Sequence, residues 1–304
     1  MKRRIGIAGA GAWGRALAHV ARSAGHDVAM WSRQSPDASV LARRDAVILA
    51  VPAQACRDVL TAIAPALEPG LPLIIGAKGI ERDTGLFMNE VAAQVAPKAR
   101  AMVLSGPSFA ADVVKGLPTA VTLAAPTLAE AGEWGEALTL PSFRVYGSDD
   151  VLGVEIGGAL KNVLAIACGI SDGRRLGDSA RAALTTRGFA ELMRFGRKLG
   201  ARPETLTGLS GLGDLLLTCS SPQSRNYAFG LAIGEGKSVQ QALAQSRGVV
   251  EGASTAAIAA RLAKQHGVDM PIVAAVHAIV DSGAKPEQAI AALLARPVGA
   301  EIRN

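Results

Sequence analysis

Along the first half of the chain, short β-branched runs alternate with amphipathic segments. The runs are Arg4–Ala8, Asp27–Trp31, Ala46–Val51, Leu73–Gly76, Ala101–Ser105, Thr119–Ala124 and Phe143–Gly147, and each reads as a strand. Between most of them, Ala12–Ser23, Gln54–Leu67, Leu86–Val95 and Thr127–Leu138 carry apolar residues at helical spacing. Strands alternating with helices predict a parallel sheet covered on both faces. After about Ser148 the pattern changes. Val151–Ile170, Ser179–Leu199, Tyr227–Gly234, Ser238–Gln245, Thr255–His266, Ile272–Ser282 and Pro286–Ala295 all read as helices, with no convincing strand among them. The expected fold class is α/β: an N-terminal Rossmann-type, mostly parallel sheet domain over residues 1–148, then an all-helical domain over residues 149–304.

Composition adds exclusions. Hydrophobic residues are 49% and charged residues 19% of the 304, ample for a packed core and contrary to global disorder. The mean hydropathy of +0.27 raises the question of a membrane. The longest apolar stretch, Val151–Ile170, is interrupted by Glu155, Lys161 and Asn162, so no membrane span is expected, since a span needs about 20 apolar residues. Met1-Lys2-Arg3-Arg4 leads into a Gly-rich turn and not into the apolar core of a signal peptide. Cys56, Cys168 and Cys219 are far apart without metal-ligand spacing, so the expectation is buried reduced thiols in a cytoplasmic protein and no metal. The net charge of +6 is spread without aromatic interleaving, which excludes a nucleic-acid face and suits an anionic small molecule.

The first strand runs into Gly9-Ala10-Gly11-Ala12-Trp13-Gly14, a G-x-G-x-x-G that opens a helix. Glycines there allow a tight turn and close backbone approach to a pyrophosphate, and the helix N-terminus offers free N–H groups to the anion. At the end of the second strand stands Trp31-Ser32-Arg33, where an NAD-specific protein would usually place an acidic residue for the ribose hydroxyls. Arg33 can pair with a 2′-phosphate, which favours NADPH over NADH. Loops after the later strands present Lys78 and Gly106-Pro107-Ser108, where Ser108 can serve as a ligand contact or a helix cap. In the helical half, Lys161 and Asn162 interrupt an otherwise apolar helix, and burial would move a lysine towards proton-transfer range. Asp214 closes the run Gly208–Cys219, placed to cap a helix or pair with a buried cation. Ser224-Arg225-Asn226 ends a turn with a bidentate donor suited to phosphate.

Together these segments resemble the NAD(P)-dependent sn-glycerol-3-phosphate dehydrogenases of the soluble bacterial type. The resemblance runs nearly end to end, through Gly9–Gly14, Ala77–Glu81, Ser105–Ala110, Gly158–Val163, Ala180–Glu191, Gly208–Cys219, Ser224–Asn226 and Val250–Gly252. It implies reversible reduction of dihydroxyacetone phosphate, supplying glycerol phosphate for phospholipid synthesis, with Lys161 as proton donor and acceptor. It also implies substrate contacts from Lys78, Gly106, Ser108, Asp214, Ser224, Arg225 and Asn226, with Thr218 close by. Cofactor contacts are implied for Gly9, Gly11, Ala12, Trp13, Gly14, Arg33, Lys78, Ala110, Arg225, Val249 and Glu251. The implied assembly is a homodimer.

One departure stands out. Only Gln34–Asp45 separate Arg33 from the third strand, too few for the additional helix and strand that the family usually places beside the adenosine end. Two other readings compete. One is a β-hydroxyacid or 6-phosphogluconate-type dehydrogenase of the same architecture. The other is a non-catalytic dinucleotide sensor, against which both lysines, Asp214 and Arg225 argue.

Overall fold

The computed structural model describes residues 1–297. Seven strands, β1 (Arg4–Ala8), β2 (Asp27–Trp31), β3 (Ala46–Leu49), β4 (Pro72–Ile75), β5 (Arg100–Ser105), β6 (Thr119–Ala124) and β7 (Phe143–Ser148), form one sheet in the order β2-β1-β3-β4-β5-β6-β7. Every neighbouring pair is parallel except β5–β6. The helices among these strands are α1 (Ala12–Ser23), α2 (Cys56–Ile63), α3 (Met88–Val95), α4 (Ala110–Val114) and α5 (Leu128–Leu138). Side chains alternate across the sheet, as strand geometry dictates. Ile5, Ile7, Ile48 and Ile74 pack with Leu17 and Val20 of α1 and Trp134 of α5. Val47, Leu49, Leu73 and Ile75 pack with Leu60 and Ile63 of α2 and Val91 of α3. This is the Rossmann-like α/β fold that the alternation predicts.

Among the described residues, every regular element beyond β7 is a helix: α6 (Val151–Gly173), α7 (Asp178–Leu199), α8 (Pro203–Thr207), α9 (Asp214–Cys219), α10 (Arg225–Gly234), α11 (Val239–Ala244), α12 (Glu251–His266), α13 (Pro271–Ser282) and α14 (Pro286–Leu294). The other helices pack around α6, which is buried continuously from Gly153 to Ser171. The expectation of no span-length stretch needs qualifying here. With 23 residues, α6 is long and apolar enough to cross a membrane by length and composition, but 83% of its apolar window is buried inside the fold. It meets α10 backbone to backbone. A Cβ added to Gly169 would lie 2.1 Å from the Tyr227 carbonyl oxygen, and one on Gly230 would lie 2.1 Å from that of Ile166.

Several expected boundaries shift for identifiable reasons. Gln54–Leu67 is not one helix: Pro65 heads a separate 3₁₀ turn, Ala64–Ala66, because proline cannot donate within a continuing helix. The third strand stops at Leu49, short of Val51. In Gly208–Cys219 the chain makes a π-helical turn, Leu209–Gly213, directly followed by α9. Gln34–Asp45 holds a tight turn and a single 3₁₀ turn, Ala38–Leu41. That segment folds down onto the sheet, with Leu41 fully buried against Gly6.

Candidate active site

Lys78 and Gly106 follow β4 and β5, whose carboxyl ends lie side by side because the two strands are parallel neighbours. Lys161 comes from the middle of α6, and Asp214 and Thr218 lie one turn apart on α9. Two glycines on α6 allow these elements to converge. A Cβ on Gly158 would stand 2.7 Å from Ser105 Oγ at the end of β5, and one on Gly157 would stand 2.6 Å from the Ser210 carbonyl oxygen. The first contact seats α6 under the sheet edge. The second seats the π-helical turn that delivers Asp214.

Asp214 is the hub. Its Oδ1 accepts from Lys161 Nζ at 2.8 Å and its Oδ2 from Lys78 Nζ at 2.7 Å. Lys161 Nζ donates again to Thr218 Oγ1 at 2.8 Å, and Lys78 Nζ to the Gly106 carbonyl at 2.8 Å. Asp214 is 1% exposed and Lys161 7%. Burial pushes the Lys161 ammonium down to about 8; Asp214 opposes that shift and the Lys78 charge reinforces it. Burial works against the Asp214 charge too, but the two ammonium groups and their hydrogen bonds outweigh it and hold the carboxyl below its usual range. An ammonium has three N–H donors. Each lysine commits two among the described residues, so each keeps one for a ligand. Two cations against one carboxylate leave the cluster with a net positive charge, suited to an anion.

A second network surrounds the first. Asn162 Nδ2 donates to the Lys78 carbonyl at 3.3 Å, Asn226 Nδ2 donates to Asn162 Oδ1 at 2.8 Å, and Gly252 N donates to Asn226 Oδ1 at 2.9 Å. Asn226 thus bridges α6, α10 and α12. Ser108 Oγ donates to the Gly106 carbonyl at 2.9 Å, while Phe109 occupies the cap position of α4. Ser224 Oγ caps α10 by accepting from Tyr227 N. Arg225 is exposed, its guanidinium beside Gly248. Asn162 belongs to this constellation although the sequence singles it out only as a polar interruption of an apolar helix.

The other lobe of the site has the form of a dinucleotide cradle. A Cβ on Gly14 would lie 1.9 Å from the Gly9 carbonyl oxygen, whereas Gly11 faces open space. The N-terminus of α1 has neither a side-chain cap nor an acidic residue in its first turn. The buried indole N–H of Trp13 lacks a hydrogen-bond partner and lies against Gly76, and Glu251 Oε2 is likewise buried without one. Glu251 Oε1 accepts from Ala53 N at 3.0 Å, tying α12 to the loop after β3. Ala12, Arg33 and Val249 are exposed and Ala110 is half-buried at the start of α4. These glycines, free N–H groups and unpartnered polar atoms fit a nicotinamide dinucleotide. Among the described residues, no cluster of three or more His, Cys, Asp or Glu could hold a metal ion.

Comparison with known proteins decides the family. Residues 150–291 match the model for the NAD-dependent glycerol-3-phosphate dehydrogenase C-terminus, and residues 4–44 and 35–131 match that for the N-terminus. The chain belongs to the NAD-dependent glycerol-3-phosphate dehydrogenase family. It is thus an NAD(P)-dependent oxidoreductase. It is 49% identical to glycerol-3-phosphate dehydrogenase [NAD(P)+] of Parvibaculum lavamentivorans and 53% identical to that of Azorhizobium caulinodans, with 98% of both partners covered in each case. The crystal structure of the dehydrogenase from Coxiella burnetii, 37% identical, superimposes with a TM-score of 0.90 over 97% of this chain and 99% of that one. The alignment with the Parvibaculum dehydrogenase runs over 327 positions against 304 residues here. The two N-terminal matches overlap on residues 35–44, within the segment between β2 and β3.

Removing the hub charge tests the electrostatics. Asp214→Asn leaves the buried Lys161 ammonium and the partly buried Lys78 ammonium without their carboxylate and is expected to lower unfolding stability by about 3 kcal/mol at neutral pH. The deficit shrinks as pH rises towards about 8, because the variant's native state sheds the Lys161 proton that the wild type still holds, and it levels off above 8 once both have lost it. Urea denaturation at two pH values measures this. A pH-independent loss would contradict it.

Proposed function

We propose that the chain reduces dihydroxyacetone phosphate reversibly to sn-glycerol 3-phosphate, with Lys161 as the proton donor and acceptor. The observation that carries this reading is the clamp of Asp214 on two lysines, each with one N–H left over. When bound, the reduced nicotinamide supplies the hydride. The remaining N–H of Lys161 meets the carbonyl oxygen, stabilises the developing alkoxide and transfers the proton to it. Asp214 and Thr218 fix the direction of that ammonium, and Lys78 orients the substrate from the sheet side. Arg225, next to Ser224 and Asn226, holds the phosphate, a non-reacting handle whose binding energy positions the ketone. Gly106 and Ser108 line the substrate, and the Gly9–Gly14 turn, Arg33, Ala110, Val249 and Glu251 line the cofactor.

In this reading residues 1–148 bind the dinucleotide and residues 149–304 supply the substrate and catalytic groups. The product feeds phospholipid synthesis in the cytosol, a setting that the three free, buried cysteines suit. A homodimer is the proposed assembly. It is supported by α14, whose nine residues include none that is buried, beside an apolar groove of about 1100 Å³ between α7 and α13.

Three outcomes are expected. Lys161→Ala lowers kcat by about 100- to 10,000-fold while the Kd for NADPH stays within about twofold; turnover retained within tenfold would remove Lys161 from the chemistry. Reduction needs the charged ammonium, so its kcat/KM falls as pH rises through about 8, while oxidation of glycerol 3-phosphate needs the neutral amine and rises over the same interval. Parallel pH profiles in the two directions would contradict that role. Arg225→Ala raises the KM for dihydroxyacetone phosphate by about 10- to 100-fold, the loss of a charge-assisted phosphate contact, and an unchanged KM would place the phosphate elsewhere.

A further inference from the structure

Arg15 breaks a local rule. It is the fourth residue of α1, near the positive end of the helix dipole, where a cation is disfavoured unless an anion is present. Side chains on a helix lean towards its N-terminus, and that of Arg15 folds back over the Gly-rich turn, where Nη1 donates to the Ala10 carbonyl at 2.6 Å. The residue is exposed and no carboxylate lies within ion-pairing distance of it among the described residues. The guanidinium therefore keeps most of its donors and its full charge beside the cradle.

The position relative to β2 is also fixed. Gly9 N donates to the Trp31 carbonyl at 2.9 Å, which ties the turn to the end of that strand. Arg15 donates to the residue after Gly9, and Arg33 lies two residues after Trp31, so each is anchored within two residues of the Gly9–Trp31 contact. Arg33 likewise has no carboxylate partner among the described residues. The shortened segment does not cover this junction. Ser35 N turns back to the Ser32 carbonyl at 3.0 Å, Leu41 is buried under Gly6, and Arg44 is occupied by Asp27.

We propose that Arg15 is a second phosphate-binding arginine of the cofactor site, closing with Arg33 on the 2′-phosphate of NADP(H). Two planar forks around one doubly charged phosphate supply bidentate, charge-assisted contacts. The proposal rests on the assignment of the Gly9–Gly14 turn to the dinucleotide, and it makes Arg15 a specificity determinant that touches the cofactor and not the reacting atoms.

Direct binding tests it without turnover. Isothermal titration of the whole chain with NADPH, NADH and adenosine 2′,5′-bisphosphate is compared for wild type, Arg15→Ala and Arg15→Lys. Arg15→Ala is expected to weaken NADPH and the bisphosphate by about tenfold or more and NADH by less than about twofold, with Arg15→Lys in between. Retained NADH affinity also certifies that the variant is folded. Equal weakening of NADPH and NADH would move Arg15 to the pyrophosphate and overturn the assignment. Unchanged affinity for all three would overturn it as well, leaving the cofactor reading intact. A wild-type chain that bound none of them would overturn both.

Discussion

The buried carboxylate of Asp214 is the constraint on which the rest of the site depends. Without it, the buried Lys161 of α6 and the partly buried Lys78 at the sheet edge would be two like charges side by side, and Lys161 could not stay protonated at modest cost. With it, each ammonium is anchored in a defined direction and still has a donor to offer. The same carboxylate sets a balance. Burial and Lys78 pull the Lys161 pKa down, Asp214 pulls it up, and the result near 8 allows the group to give or take a proton close to neutrality. Structural anchoring and acid–base poise are thus one interaction.

Packing supplies the geometry that this interaction needs. The small residues at Gly157 and Gly158 let α6 touch the π-helical turn on one side and the end of β5 on the other. A side chain at either place would push Lys161 away from Asp214 or from the β4–β5 edge. Asn226 performs a related task further out, joining α6 to α12 through its two amide atoms. Through Glu251 on Ala53, α12 reaches back to the loop after β3 and joins the helical half to the cofactor cradle. The lysine–aspartate cluster is held by elements from both halves of the chain, so the sheet edge and the helices must fold together for it to exist.

Much of this was legible in the residue pattern, and the exceptions have physical causes. The strands were evident because parallel strands concentrate β-branched residues between turn signals, and α6 because its polar interruptions are so few. Lys161 drew attention as a charge within that helix, and Asp214 as a charge at the end of a glycine-rich run, but their pairing across 53 residues is a tertiary fact without a local signature. Asn162 was visible only as a second polar residue beside Lys161; its bracket to Lys78 and Asn226 depends on where α10 lies. The short helices α8 and α9 and the turn between them have too few residues for a periodic signal. Ser108 left two readings open, and the structure shows its hydroxyl on the Gly106 carbonyl and not at a helix cap. Arg15 carries no sequence signal of its own; its place over the turn comes from the contact with Ala10.

The central claim is that Asp214 and burial together hold one lysine near neutrality. Carbon-13 NMR titration of protein labelled at the lysine ε-carbons measures that directly, with the Lys161→Arg variant assigning the resonance. The account predicts one lysine that titrates near 8, is absent in Lys161→Arg, and moves to still lower pH in Asp214→Asn. If instead every lysine titrated near the ordinary value of 10.5, or if Asp214→Asn left the Lys161 resonance in place, the electrostatic account of this site would be wrong.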